Sequence, residues 1–149
     1  VAEFTVTTSG EPGSRELSIA LPPGLPVLSL NGRLHWAERN RAAQQLKSAA
    51  HVMARAAKAP ALQRAEITVE YQPPDRRRRD PDNYAATGKP LIDGLVAAGV
   101  LPDDDGKHVT AVHYRIGPVY PLHPRGRIVL HVREVPNDPP ITETDKGQS

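Results

Sequence analysis

The sequence predicts a small α/β (α+β) domain, a mixed sheet of about four strands with two main helices in the order β-α-β-α-β-β. Three observations predict it. Short runs with period-two alternation, each closed by proline, fall at 17–21, 67–71 and 127–135. A stretch from 37 to 59 carries apolar residues at helical spacing, and a shorter helical pattern lies between two of the strands. The chain of 149 residues supports one domain with a core large enough to fold without staples.

Taken in order, residues 1–16 are rich in Thr, Ser, Gly and Glu and read as a flexible lead-in to a domain at 17–135. Leu17, Ile19 and Leu21 alternate with Ser18 and Ala20 until Pro22, Pro23 and Gly24 stop the strand. A loop through Leu30, Asn31 and Gly32 then delivers Arg33, His35 and the single tryptophan, Trp36, to a helix start. In the helix, Leu46, Ala49, Ala50, Met53 and Ala57 form one stripe at i, i+3, i+4, i+7, i+11. Arg39, Arg41, Lys47, Arg55 and Lys58 lie largely off that stripe, and Pro60 stops the helix. The strand at 67–71 ends at Pro73 and Pro74 and opens directly onto an arginine run. The second helix takes Thr87 as N-cap and Pro90 in its first turn, and runs to Ala98 along the stripe Leu91, Leu95, Ala98. Gly99 is the left-handed residue past its end, with Val100 packing behind. A strand near 107–115 follows a turn of three aspartates. The last strand points Ile128, Leu130 and Val132 to one side, and 136–149 reads as a disordered tail.

Composition excludes several classes of function. No cysteine means no disulfide, no thiolate-bound zinc and no iron–sulfur cluster, which suits a reducing compartment. No apolar run approaches a membrane span and the first residues show no signal-peptide pattern, so a cytoplasmic protein with no membrane partner is expected. Net charge is only +2, but it is unevenly spread. Residues 31–58 hold six Lys/Arg against Glu38, whereas 136–149 hold Asp138, Glu143 and Asp145 against Lys146. Positive charge is thus concentrated where phosphate would be met, with Arg33 and Lys47 among its carriers.

Residues 75–105 carry the chemistry. Asp80 and Asp82 stand one residue apart, Arg76, Arg77, Arg78 and Arg79 precede them, and Lys89 and the cluster Asp103, Asp104, Asp105 follow. Carboxylates that hold a hard divalent ion, beside cations that hold a phosphate chain, are what a magnesium-dependent nuclease needs. Pro81 biases Asp80 to an extended conformation, which would turn both carboxylates to one side. Asp at N-cap with Pro at N1 is equally a helix-start signal, so the spacing alone leaves capping and metal binding both open. The arginine run is open between phosphate contact and solvated charge, the aspartate triplet between cation binding and a solvated turn, and Asp93 between a supporting carboxylate and plain surface. Three other motifs fail. An EF-hand loop with Gly106 at its turn would need a ligand at Leu101, and a P-loop at Gly88 and Lys89 would need Ser or Thr at Pro90 and Gly at Asn83. The six histidines lack a zinc spacing.

The combination D-R-R-R-R-D-x-D-N at 75–83, Lys89 four residues before Asp93-Gly94-Leu95, and A-G-V-x-x-D-D at 98–104 resembles the RusA family of Holliday junction resolvases. The resemblance is tight over 75–105 and extends in element order from 21 to 134. It implies a small α/β endonuclease, homodimeric and dependent on Mg²⁺ (with Mn²⁺ as substitute), that cuts four-way DNA junctions by paired nicks. It implies Asp80, Asp82 and Asp104 as metal-binding acids with Asp103 close by, and Lys89 as the active-site lysine. One departure stands out: about three extra residues separate Asn83 from Lys89, and Pro90 follows it. Val27, Leu28, Leu30 and the edge of the last strand are the apolar candidates for a dimer interface. A broader branched-DNA or flap nuclease, and a non-catalytic nucleic-acid-binding protein, are the alternative readings.

Overall fold

The computed structural model describes residues 6–29 and 35–136. Its elements are β1 (Val6–Ser9), β2 (Glu16–Ala20), α1 (Trp36–Ala56), β3 (Ala65–Gln72), a 3₁₀ helix (Pro81–Thr87), α2 (Gly88–Ala97), β4 (Val109–Ile116) and β5 (Arg127–Glu134). Among the described residues five strands form one mixed sheet in the order β1-β2-β5-β3-β4. Only β3 and β4 run parallel; the other neighbours are antiparallel. Parallel neighbours need a crossover rather than a hairpin, and the 3₁₀ helix and α2 are that crossover. The α+β class with two main helices is therefore the one the periodicities predict.

Period-two alternation divides the sheet into two faces. Leu17, Ile19, Ile67, Val69, Leu130 and Val132 are buried in one cluster with Leu46, Ala50 and Met53 of α1 and Leu91 and Leu95 of α2. The alternate positions carry Ser18, Thr68, Glu70, Arg115, His131 and Arg133. Glu70 is 5% exposed. It accepts from Gln72 Nε2 at 2.5 Å and Arg115 Nε at 2.7 Å, with His131 Nε2 at 3.3 Å. Burial pushes its carboxyl upward, but the hydrogen bonds from Gln72 and Arg115 outweigh that and leave it below the ordinary value.

Four expectations need correction. The lead-in at 1–16 contains β1, which pairs with β2 from Val6 opposite Ile19 to Ser9 opposite Glu16. Its Thr7, Thr8 and Ser9 are exposed, so an edge ladder of backbone bonds, not burial, holds it, and hydrophobic patterning does not register such a strand. The hairpin is also tied down at its turn. Arg15 Nε and the Gly13 and Arg15 N–H groups all donate to Glu134, at 2.8–3.0 Å, and hold that carboxyl down at about 2. Second, α1 ends before Pro60: Lys58 takes a left-handed φ of 54°, and the Ala59 N–H returns to the Ala54 carbonyl. Ala57 is consequently exposed, and the buried line is Ala42, Leu46, Ala50, Met53 and Ala54. Third, Thr87 is the N-cap position of α2 as expected, but its side chain caps nothing. The 3₁₀ helix runs straight into α2, and the Thr87 hydroxyl donates to the Leu28 carbonyl and accepts from the Leu28 N–H instead. Fourth, β5 is internal and Leu28 is in the core, so neither offers a dimer edge. Leu30 and the expected tail at 137–149 lie outside the described residues. No described helix is long and apolar enough to cross a membrane.

Two glycines set the position of α2. Gly99, at φ 84°, ends the helix as the pattern predicts, with the Val100 N–H on the Leu95 carbonyl and the Val100 side chain buried. Gly94 sits where α1 crosses α2: a Cβ there would clash with the Lys47 carbonyl oxygen and come within 2.8 Å of Ala50 Cβ. In an exposed helix, Gly to Ala stabilises by about 1 kcal/mol. Here overpacking reverses the sign, and Gly94→Ala is expected to cost about 1–3 kcal/mol. A thermal melt of that variant checks this; an increase in Tm would mean the helices do not meet at Gly94.

Candidate metal and nucleic-acid site

β3 delivers the chain to Pro73 and Pro74, and the arginine run follows at the carboxyl end of the sheet. Asp75 organises this loop. Its carboxylate accepts from the Arg77 N–H at 3.1 Å and lies 2.9 Å from Arg79 Nη1 and 3.2 Å from Arg77 Nε. Those bonds hold the Asp75 carboxyl down at about 2. Arg79 is only 10% exposed. It also donates to the Asp75 and Arg77 carbonyls, and its guanidinium lies 6.0 Å from the Tyr71 ring centroid. The four arginines therefore do different things. Arg79 is built into the loop, Arg77 shares Asp75 while remaining 78% exposed, and Arg76 and Arg78 are exposed with no partner among the described residues. Arg33 lies outside the described residues. Lys47 is half-buried, and its backbone carbonyl lies at the α1/α2 crossing.

Asp80 is extended, at φ −101° and ψ 119°, as the following proline requires. It is also the N-cap of the 3₁₀ helix, accepting the Asp82 N–H at 3.1 Å with Pro81 in the first turn. Capping and extension hold together here. What fails is the inference that two extended residues aim both carboxylates to one side, because Asp82 already belongs to the helix.

The 3₁₀ helix carries the extra residues before Lys89 and sets that lysine on the first turn of α2. Lys89 Nζ donates to Asp93 Oδ1 at 2.9 Å and to Asp104 Oδ2. The hydrogen bonds to Asp104 and then Asp93 raise the lysine pKa above its ordinary value, and Lys89 in turn, followed by Asp103, lowers that of Asp104. Asp93 is thereby a lysine partner rather than plain surface. The aspartate triplet divides as well. Asp103 accepts the Asp104 N–H at 2.7 Å, and Asp105 accepts the Lys107 and His108 N–H groups at 3.1 and 3.2 Å to start β4. Asp104 alone faces the lysine.

The structure thus links Lys89 to Asp93 and Asp104, with Asp103 on the Asp104 N–H, while the described hydrogen bond of Asp80 goes to the Asp82 N–H. The two acidic segments flank β3 at opposite ends. The His108 carbonyl accepts from the Ala65 N–H, so the triplet enters from the amino end of β3, whereas the Asp80 segment leaves from its carboxyl end. The donor chemistry of all these acids, hard oxygen, suits Mg²⁺. Among the described residues, however, no three acidic or histidine side chains converge to hold a metal ion.

Sequence reasoning also missed a cleft beside the arginine run. Tyr84 of the 3₁₀ helix packs its ring 5.0 Å from Tyr71 at 46°. With Arg77, Arg79 and Arg125 these rings line a cleft of ≈ 470 Å³. Tyr84 follows Asp82 closely enough to suggest itself, but Arg125 arrives from the loop before β5 with no local signal. The division of the arginines makes a prediction: Arg79→Ala should cost about 1–2 kcal/mol in a chemical melt, while Arg76→Ala and Arg78→Ala stay within about 0.5. Equal effects from all three would contradict it.

No family model matches the chain. An uncharacterized protein of Xylella fastidiosa (strain Temecula1 / ATCC 700964) is 37% identical to it over 98 residues, 62% of this chain and 63% of that protein. The chain therefore spans less than two thirds of that relative's length.

Proposed function

We propose that the chain is a Mg²⁺-dependent endonuclease that resolves four-way DNA junctions by paired nicks, working as a homodimer in the bacterial cytoplasm. The observation that carries this reading is the contact between Lys89 and Asp104. These residues are fifteen apart, on different elements, and the resemblance pairs them as functional. An isolated surface ion pair adds little stability, so stability alone is a weak reason for holding a lysine between Asp93 and Asp104.

In this proposal Asp80, Asp82 and Asp104 are the acids for the divalent ion, which when bound lowers the pKa of a water and stabilises a leaving oxygen. Lys89 is a permanent cation that neutralises charge developing on the scissile phosphate. Arg76, Arg77 and Arg78, exposed at the carboxyl end of β3, hold neighbouring phosphates without reading bases. Two sites related by a twofold axis would meet the two strands of like polarity in a junction.

A second reading, a nucleic-acid binder without catalysis, is favoured by the role of Asp80 as a helix cap. Asp80→Asn decides between them, because asparagine caps a helix as well as aspartate does and leaves the fold alone. The proposal predicts that Asp80→Asn and Asp82→Asn abolish Mg²⁺-dependent nicking of a four-way junction while binding is retained or tightened. Nicking at the wild-type rate would reduce the motif to a cap. Equal cutting of flaps and junctions by the wild type would select the broader branched-DNA enzyme.

A further inference from the structure

The ≈ 470 Å³ cleft beside the 3₁₀ helix has walls of three kinds. Arg77, Arg79 and Arg125 supply cations, Tyr71 and Tyr84 supply aromatic rings, and Val27 closes an apolar side. It is continuous at Arg77, Arg79 and Tyr84 with a second recess of ≈ 250 Å³ that Arg78 also lines. Its volume falls within the range of small-ligand sites, roughly 300–1,000 Å³.

The walls are preformed. The Tyr71 hydroxyl donates to the Arg125 carbonyl at 3.1 Å, and Arg125 Nη1 donates to the Gly24 carbonyl at 3.3 Å, joining the three segments that meet here. The Asp75 carboxylate fixes Arg79 and touches Arg77, yet one carboxylate against the three arginines of the cleft leaves it net positive. The Tyr84 ring, packed against Tyr71, has a hydroxyl with no partner among the described residues. Cations matched to phosphate, beside rings matched to a base face, form a nucleotide's complement.

We propose that this cleft binds a single unpaired nucleotide of branched DNA, its base stacked on Tyr84 and its phosphate held by Arg77 and Arg125. The proposal rests on the nucleic-acid reading above and adds to it the part of the substrate recognised. A paired base has both faces stacked and its edge engaged, so a recess of this size admits a base only where pairing has been broken, as at a branch point. Tyr84 lies two residues beyond Asp82, so the captured nucleotide would place the adjoining backbone at the start of the 3₁₀ helix.

The test is a binding titration of the full chain in EDTA, which removes cleavage from the readout. The probe is a short single strand carrying one 2-aminopurine, compared with its blunt duplex at the same salt. Stacking of the probe base is read as quenching. The expected result is quenching of the single strand, with affinity about tenfold or more weaker in Tyr84→Leu, which keeps apolar bulk against Tyr71. Tyr84→Phe should behave as wild type, and Arg125→Gln should weaken binding without changing the quenching at saturation. Absence of quenching, or Tyr84→Leu binding with wild-type affinity, would overturn the proposal. So would displacement of the strand by micromolar deoxyadenosine monophosphate, which would assign the cleft to a free nucleotide. The two readings fail separately. Quenching without any nicking of junctions leaves the cleft and removes the nuclease; nicking with Tyr84→Leu unchanged does the reverse.

Discussion

The parallel pairing of β3 with β4 is the constraint on which the rest of the molecule depends. Because β4 starts beside Ala65 and β3 ends at Gln72, the chain must travel back along the sheet between them. The arginine run, the aspartate pair, the tyrosine cleft and Lys89 all ride on that return, and Asp104 waits where it ends. The Thr87 hydroxyl pins the middle of the return to Leu28 through two buried hydrogen bonds. Gly94 lets α2 sit down against α1. The geometry of the candidate site thus follows from how a crossover is fastened to its sheet.

Electrostatics then divides what the sequence groups together. Four consecutive arginines look equivalent in one dimension, but Asp75 claims Arg79 and part of Arg77, leaving Arg76 and Arg78 exposed to solvent. Three consecutive aspartates likewise separate into two that accept turn N–H groups and one that faces Lys89. A charged run is a composition until a backbone turns its members in different directions.

The same distinction explains what was legible beforehand. Strands and helices with an apolar stripe were readable because burial imposes period two or 3.6 on the sequence, and the end of α2 at Gly99 was readable because a left-handed residue favours glycine. β1 was not readable, since an exposed Thr/Ser edge strand buries too little to leave a pattern. Thr87 stands at the N-cap of α2 as the pattern predicts, but a tertiary partner, Leu28, takes its hydroxyl from the local backbone. The cleft was hidden for the same reason. Tyr71, Tyr84 and Arg125 span more than fifty residues, and the rings meet only once the crossover folds over the end of β3.

The central claim is that Asp80, Asp82 and Asp104 serve one divalent ion although they enter from opposite ends of β3. Paramagnetic broadening by substoichiometric Mn²⁺ in a backbone NMR spectrum tests this without reference to activity. A shared ion would broaden the amides at 80–83 and 103–105 together, and Asp104→Asn would weaken the effect at both. Broadening confined to one of the two groups, or spread evenly over the acidic surface, would contradict it.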